Sequence, residues 1–101
     1  MKNFNVKCGN FEISNNSSFT LIAGPCQLES EKHAMEISTE LKKITSDLKI
    51  NLIYKTSFDK ANRTSLSGKR GLGLEKSLSI FDKIKKEVGV PILTDVHTAD
   101  Q

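Results

Sequence analysis

The sequence contains no tryptophan, one tyrosine and no long apolar run among its 101 residues. Its formal net charge is only +3, and its basic residues are not interleaved with aromatic ones, which argues against a dedicated nucleic-acid-binding protein. A membrane-spanning helix requires about 18 consecutive apolar residues, and no apolar stretch of this sequence is that long. The opening stretch, MKNFNVKCGN, lacks the apolar core of a signal peptide. We therefore expect a cytoplasmic protein that binds neither nucleic acid nor membrane.

Cysteine is also scarce, since the chain has only Cys8 and Cys26. Without a secretory signal, two cysteines are better interpreted as cytosolic thiols than as a disulfide framework. Hydrophobic residues make up 37% and charged residues 27% of the chain, a balance typical of a soluble globular protein. The length is enough for one domain with a modest core.

Three short runs predict β-strands, at residues 19–23, 51–58 and 91–96; we expect the first to be buried on both faces and the third to be buried. Before them, residues 4–13 predict a β-hairpin, because Gly9-Asn10 tolerates the positive φ of a tight turn.

Two segments between the strands show helical periodicity. Ser30 is a suitable N-cap for a first helix of about 18 residues, and residues 74–88 predict a second helix that ends at Gly89 before Pro91. The predicted apolar sides comprise Ala34, Ile37, Leu41, Ile44 and Leu48 in the first helix, and Leu74, Leu78, Phe81, Ile84 and Val88 in the second.

Strand, helix, strand, helix, strand amounts to two βαβ units, which form parallel sheet with helices packed outside. Ligands of such folds bind beyond the carboxyl ends of the strands, in barrels and in open sheets alike. Polar residues stand at these ends: Cys26 after the first strand, Lys55 and Ser57 at the second, Asp95 and His97 at the third. Alternation places each of the last two pairs on one face. The sequence therefore predicts a polar mouth at one edge of the sheet.

Residues 55–70, here called the basic segment, join the second strand to the second helix. They contain five cations and one acid, namely Lys55, Lys60, Arg63, Lys69, Arg70 and Asp59. Short hydrogen-bonding residues lie between the cations: Asn62, Thr64, Ser65 and Ser67. This mixture suits a small molecule bearing phosphate and carboxylate, because arginine binds such groups with a planar fork and lysine adds a point charge. A solvated surface loop is the alternative.

The individual polar residues leave several roles open. Taken alone, Cys26 is more typical of a small buried apolar residue than of a ligand or nucleophile. His97 could serve as a ligand, a general base or a structural hydrogen-bonding residue, and Asp95 could orient a lysine or bind a substrate hydroxyl. Gly71 and Gly73 could cradle a phosphate or simply permit a turn.

Four motifs, LIAGPCQLES, YKTSFDKANRTS, KRGLGLE and PILTDVH, closely resemble the 3-deoxy-manno-octulosonate 8-phosphate synthase family. The resemblance covers nearly all of residues 4–101. It implies that residues 1–101 form the N-terminal third of a single (β/α)8 TIM barrel, an α/β fold, with the hairpin capping the barrel's amino-terminal end. It also implies a homotetrameric transferase of lipopolysaccharide biosynthesis. The alternatives are a heptulosonate 7-phosphate synthase and a non-catalytic phosphosugar-binding module.

The resemblance implies that phosphoenolpyruvate condenses with arabinose 5-phosphate and water. Lys55 and Lys60 would bind phosphoenolpyruvate, with Lys60 near the reacting carbons, and Ser57 would contribute to substrate binding. The phosphate of arabinose 5-phosphate would be bound by Asn62, Arg63, Thr64 and Ser65. Asp95 would lie by the sugar hydroxyls. The residues expected to be catalytic are Lys60, Asp95 and His97.

The resemblance further implies a metal. The family has a metal-dependent class with cysteine at the position of Cys26 and a metal-independent class with asparagine there. The cysteine indicates the metal-dependent class, with a divalent ion such as zinc, iron or manganese. The other expected ligands, a histidine, a glutamate and an aspartate, would lie beyond residue 101.

Overall fold

The computed structural model describes residues 2–59 and 72–101. A two-stranded antiparallel hairpin comes first, formed by β1 (Val6–Cys8) and β2 (Phe11–Ile13). A parallel sheet follows, with β3 (Thr20–Ala23), β4 (Asn51–Lys55) and β5 (Ile92–Leu93) in that order. The connecting helices are α1 (Glu31–Asp47) and α2 (Leu74–Glu87). The predicted α/β class and the two βαβ units are confirmed.

Local signals set the element ends as predicted. The Ser30 side chain accepts a hydrogen bond from the backbone N–H of His33 at 3.0 Å, which makes it the N-cap of α1. At the far end of α2, Gly89 adopts a φ of +78° and donates its N–H to the carbonyl of Ile84. In the hairpin, Gly9 adopts a φ of +57° at the turn.

The hydrophobic core lies between the helices and one face of the sheet. The register pairs Leu21 with Leu52 on this face, and Ala23 with Tyr54. The buried apolar side chains of the core are Leu28, Ala34, Leu52, Tyr54, Phe58, Ile80, Phe81, Ile84 and Val90. Neither of the helices in the described ranges is long and apolar enough to cross a bilayer.

The predicted apolar side of α1 is wrong at its C-terminal half. Ile44 and Leu48 are 46% and 64% exposed, whereas Ser38 and Thr45 are fully buried. The hydroxyl of each buried residue donates to a carbonyl one turn earlier, so its burial leaves no hydrogen bond unmade. Apolar periodicity could not detect this, because small hydroxyl residues count as polar. In α2, Leu78 was also placed on the apolar side and is 52% exposed.

The prediction that the first strand is buried on both faces, and that the third strand is buried, is also wrong. Ile22 and Leu93 are 54% and 43% exposed, because in the described residues helices cover only the other face of the sheet. Ile53 lies on the open face too, but as part of the central strand it is only 8% exposed. The strands are also shorter than predicted, since β4 ends at Lys55 and β5 at Leu93.

Gly24 stands where no larger residue fits. A Cβ added at this position would overlap the carbonyl oxygen of Lys55, which belongs to the backbone and cannot turn aside. We expect Gly24→Ala to lower the free energy of unfolding by about 3 kcal/mol, the upper range for overpacking.

Gly89→Ala provides the matched control. Its added Cβ meets nothing within 4 Å, so only the positive φ is unfavourable, and we expect a loss of about 1 kcal/mol. Denaturant unfolding of the complete gene product that carries these residues would compare the two variants. A Gly24→Ala variant as stable as Gly89→Ala would contradict the predicted overlap.

Candidate functional site

The polar strand ends converge as the sequence predicted. The Nζ atom of Lys55 lies 3.4 Å from the Oγ atom of Ser57, and the Nε2 atom of His97 lies 3.5 Å from the Oδ2 atom of Asp95. The Ser57 side chain forms a hydrogen bond with the Asp95 carboxylate, and the Lys55 ammonium attracts it electrostatically. These interactions join the two pairs into one cluster. The expectation that each pair shares a face is confirmed, and the two pairs lie in one cluster.

Asp95 is the electrostatic centre of this cluster. Its pKa is lowered, first by a hydrogen bond from the Ser57 side chain and then by its own backbone N–H, by the Lys55 ammonium and by His97. Partial burial opposes this shift but does not overcome it. The carboxylate is therefore ionised at neutral pH. Its Oδ1 atom is buried and has no hydrogen-bond partner of ordinary geometry among the described residues, whereas the side chain as a whole is 43% exposed, so a ligand hydroxyl can reach the exposed part of the carboxylate.

The loop that carries Cys26 is bound to the end of β4 from one side. The Thr56 hydroxyl donates to the carbonyl of Pro25 at 2.7 Å, and the N–H of Leu28 donates to the carbonyl of Ser57 at 2.8 Å. These two bonds flank Cys26 and fix its backbone beside the cluster. Its thiol is free and exposed, so the interpretation of Cys26 as a buried apolar residue is wrong.

An exposed, uncrosslinked thiol is available to bind a metal. Within residues 2–59 and 72–101, however, no group of three or more histidine, cysteine, aspartate or glutamate side chains could hold an ion. The described residues thus offer one candidate ligand, which fits a metal only if other ligands come from elsewhere. The assignment of Cys26 as a ligand stays a prediction.

The residues that follow β4 also form hydrogen bonds with the end of β5, on the side opposite the Cys26 loop. The N–H of Thr56 donates to the carbonyl of Leu93, and the N–H of Phe58 donates to the Oγ1 atom of Thr94, both at 3.3 Å. Sequence reasoning missed this role of Thr94. One feature of the sequence could have indicated this role: Thr94 is a hydroxyl residue just after a short parallel strand. Backbone hydrogen bonds between the strands stop there, and a side-chain oxygen can accept the next N–H in their place.

Most of the predicted substrate-binding residues lie outside the described ranges. These are Lys60, Asn62, Arg63, Thr64 and Ser65, and their roles stay predictions. Gly71 also falls there, whereas Gly73 precedes α2 with a φ of +91° and accepts a hydrogen bond from the Ser77 hydroxyl at its carbonyl. A tight turn into the helix accounts for Gly73 without a phosphate.

The chain matches the model of the DAHP synthetase I family over residues 3–101. It is 54% identical over 99 residues to the 2-dehydro-3-deoxyphosphooctonate aldolase of Brucella anthropi. It is 56% identical over the same length to the proteins of that name in Brucella ovis and Brucella canis. Each alignment covers 98% of this chain and 36% of the relative, so the chain spans about a third of the length of these curated relatives. The resemblance that the motifs indicated is confirmed, and the chain belongs to the DAHP synthetase I family.

Proposed function

We propose that this chain is the N-terminal third of a 3-deoxy-octulosonate 8-phosphate synthase, an enzyme also named 2-dehydro-3-deoxyphosphooctonate aldolase. The observation that carries the proposal is the identity of 54–56% to proteins of that name along 98% of the chain. The reaction condenses phosphoenolpyruvate with arabinose 5-phosphate and water, and releases phosphate. The whole enzyme is a cytoplasmic homotetramer in this proposal.

The proposed fold of the whole enzyme is a (β/α)8 barrel. The parallel order of β3, β4 and β5, with helices on one face only, supports this, because the open face that carries Ile22 and Leu93 would become the barrel interior. The hairpin turn lies at the amino-terminal end of the sheet, where a Cβ on Gly9 would sit 3.3 Å from Pro91. This position supports a hairpin that caps that end of the barrel.

The cluster at the opposite end supplies groups that suit the two substrates. The Lys55 ammonium can neutralise a carboxylate or phosphate oxygen of phosphoenolpyruvate, assisted by the Ser57 hydroxyl. The ionised Asp95 can accept hydrogen bonds from sugar hydroxyls at the exposed part of its carboxylate. Water then adds at C2 of phosphoenolpyruvate, C3 attacks the sugar aldehyde, and phosphate leaves by C–O cleavage. For such a step, the enzyme lowers the activation barrier mostly by orienting the two substrates and by placing fixed charges beside them.

Cys26 would hold a divalent metal ion together with a histidine, a glutamate and an aspartate from beyond residue 101. A bound ion of this kind would polarise an oxygen atom and orient the reactants. The exposed thiol, fixed next to the cluster by the bonds of Thr56 and Leu28, supports this placement.

A heptulosonate 7-phosphate synthase is the second candidate, because the matching family model carries the description DAHP synthetase I. The two functions differ in the aldose. An eight-carbon product requires a five-carbon sugar phosphate beside the three carbons of phosphoenolpyruvate, and a seven-carbon product requires a four-carbon one. The test is phosphate release by the complete gene product with each aldose phosphate. Preference for the four-carbon sugar would refute the first proposal.

Arg63→Ala should weaken binding of arabinose 5-phosphate far more than binding of phosphoenolpyruvate. Loss of a charge-assisted hydrogen bond to phosphate costs about 1.5–3 kcal/mol, which corresponds to a rise of about 10-fold to 150-fold in KM for the sugar phosphate. Steady-state kinetics of the complete gene product would measure both KM values. Arg70→Ala, in the same basic segment, is the matched control and should change neither value much. Equal effects of Arg63→Ala on both substrates would show that the assignment is wrong.

A further inference from the structure

Thr56 lies directly behind the polar cluster, on the other face of the sheet. Its neighbours Lys55 and Ser57 share the open face, where their side chains lie 3.4 Å apart. Alternation along the chain turns the Thr56 side chain towards the core, where it is fully buried. Thr56 therefore does not reach the mouth of the sheet, and it can act on a bound ligand only through the residues that it holds.

The hydroxyl of Thr56 holds the peptide group that precedes Cys26. It donates to the carbonyl oxygen of Pro25 at 2.7 Å. This carbonyl belongs to the peptide bond between Pro25 and Cys26, and a peptide group is planar, so the hydrogen bond also fixes the backbone nitrogen of Cys26. Because the Thr56 side chain is fully buried, water does not compete for the bond, which is stronger there than it would be at the surface.

The backbone that follows Cys26 is held by the next residue of β4's extension. The N–H of Leu28 donates to the carbonyl of Ser57 at 2.8 Å, and Gln27 forms a parallel bridge with Ser57. Leu28 is only 1% exposed, so its side chain anchors this end of the loop in the core. Cys26 is thus an exposed residue between two fixed points, and movement of either point would displace its thiol.

Thr56 also connects this loop to the far side of the cluster. Its N–H donates to the carbonyl of Leu93 at 3.3 Å, while its hydroxyl binds Pro25. Leu93 is the last residue of β5, and Asp95 lies just beyond it. A single buried residue therefore joins the loop that carries the thiol to the strand that leads into the acidic side of the cluster.

We propose that Thr56 is a positioning residue, whose hydroxyl holds the Cys26 thiol in place beside Lys55 and Asp95. This role rests on the proposed function, in which Cys26 binds a divalent metal ion. Without the hydroxyl, the Pro25 carbonyl would lose its buried partner and rotate towards another donor, and the thiol would move with it. Residues that hold a metal ligand in this way contribute about 10-fold to 100-fold to the affinity for the ion.

Two substitutions in the complete gene product separate the hydroxyl of Thr56 from the bulk of its side chain. Thr56→Val keeps the shape and removes the donor, whereas Thr56→Ser keeps the donor. Co²⁺ is the probe, because a thiolate bound to it gives a charge-transfer band in the near ultraviolet. Titration of metal-free protein against a competing chelator should give a dissociation constant about 10-fold to 100-fold higher for Thr56→Val, and within about threefold of wild type for Thr56→Ser.

Thr45→Val is the matched control. Thr45 is 1% exposed, and its hydroxyl donates to the carbonyl of Leu41 at 2.9 Å, within α1 and outside the loop. Its replacement removes an equally buried hydroxyl bond but should leave the affinity for Co²⁺ unchanged. Equal affinities of wild type and Thr56→Val would overturn the positioning role. An equal loss in Thr45→Val would overturn it too, because general destabilisation would then explain both variants.

A second measurement needs neither metal nor substrates. Hydrogen–deuterium exchange of the metal-free protein, followed by mass spectrometry of peptides that contain residues 26–30, reports on the N–H of Leu28. Exchange there should be severalfold faster in Thr56→Val than in wild type, and nearly unchanged in Thr56→Ser and Thr45→Val. Equal rates in wild type and Thr56→Val would overturn the hold of Thr56 on the loop. Wild-type protein without the thiolate band would refute the metal assignment of the proposed function, while the exchange rates would still test Thr56.

Discussion

Replacing Cys26 by alanine in the complete gene product is expected to abolish both the retention of a divalent transition metal and turnover. The thiol is exposed and free at the carboxyl end of β3, in a loop fixed to the end of β4 by Thr56 and Leu28. A thiol binds a metal as the thiolate, and direct coordination offsets the cost of deprotonation. Alanine offers no donor atom, so the remaining ligands would have to hold the ion alone.

The measurement is bound metal per subunit alongside turnover, before and after treatment with a chelator. Chelated wild-type protein should lose activity and regain it with a divalent transition metal. Cys8→Ala is the matched control, since Cys8 is the other free thiol and lies in the hairpin at the opposite end of the sheet. Cys26→Asn should keep some activity without metal, because the metal-independent class has asparagine there. Full activity of metal-free wild-type protein would sink the metal assignment.

The sequence was sufficient to predict the succession of strands and helices along the chain and the place of the site. Apolar runs of strand length alternated with helical periodicity, and such βαβ units form parallel sheet. The convergence of Lys55, Ser57, Asp95 and His97 then followed from their places at strand ends, without any knowledge of side-chain contacts.

Other features depended on contacts that residue types do not reveal. The buried side of α1 runs through Ser38 and Thr45, whose hydroxyls are satisfied within the helix, so a hydrophobicity pattern assigns them to the wrong side. The bond between His97 and Asp59 joins a side chain to a backbone carbonyl, and every residue has such a carbonyl. Cys26 shows a different limit, because its residue type suggested burial whereas its place in a loop at the sheet edge exposed it.

The 101 residues expressed alone are expected to show no synthase activity and to associate. Within the described residues, β3 and β5 each pair with β4 on one side only, so each presents an open edge to which another strand can bind. One face of the sheet also exposes Ile22 and Leu93 to water. Open edges and an uncovered apolar face favour contact between copies of the chain. A second chain can pair with the free backbone groups of an edge and can remove the apolar face from water. The three further metal ligands expected beyond residue 101 would still be missing.

Charge on the open face provides the sharpest test of this association. Ile22 and Leu78 are 54% and 52% exposed, but Ile22 lies on the open face of the sheet and Leu78 on α2. If the sheet face drives association, Ile22→Glu should shift the isolated chain towards monomer, because each new contact would bury a carboxylate. Leu78→Glu, matched in exposure and in the change of charge, should shift it much less. Sedimentation velocity over a range of concentrations would measure the species present. Equal shifts in the two variants would place the contact elsewhere, and a monodisperse wild-type monomer that turns over both substrates would refute the prediction altogether.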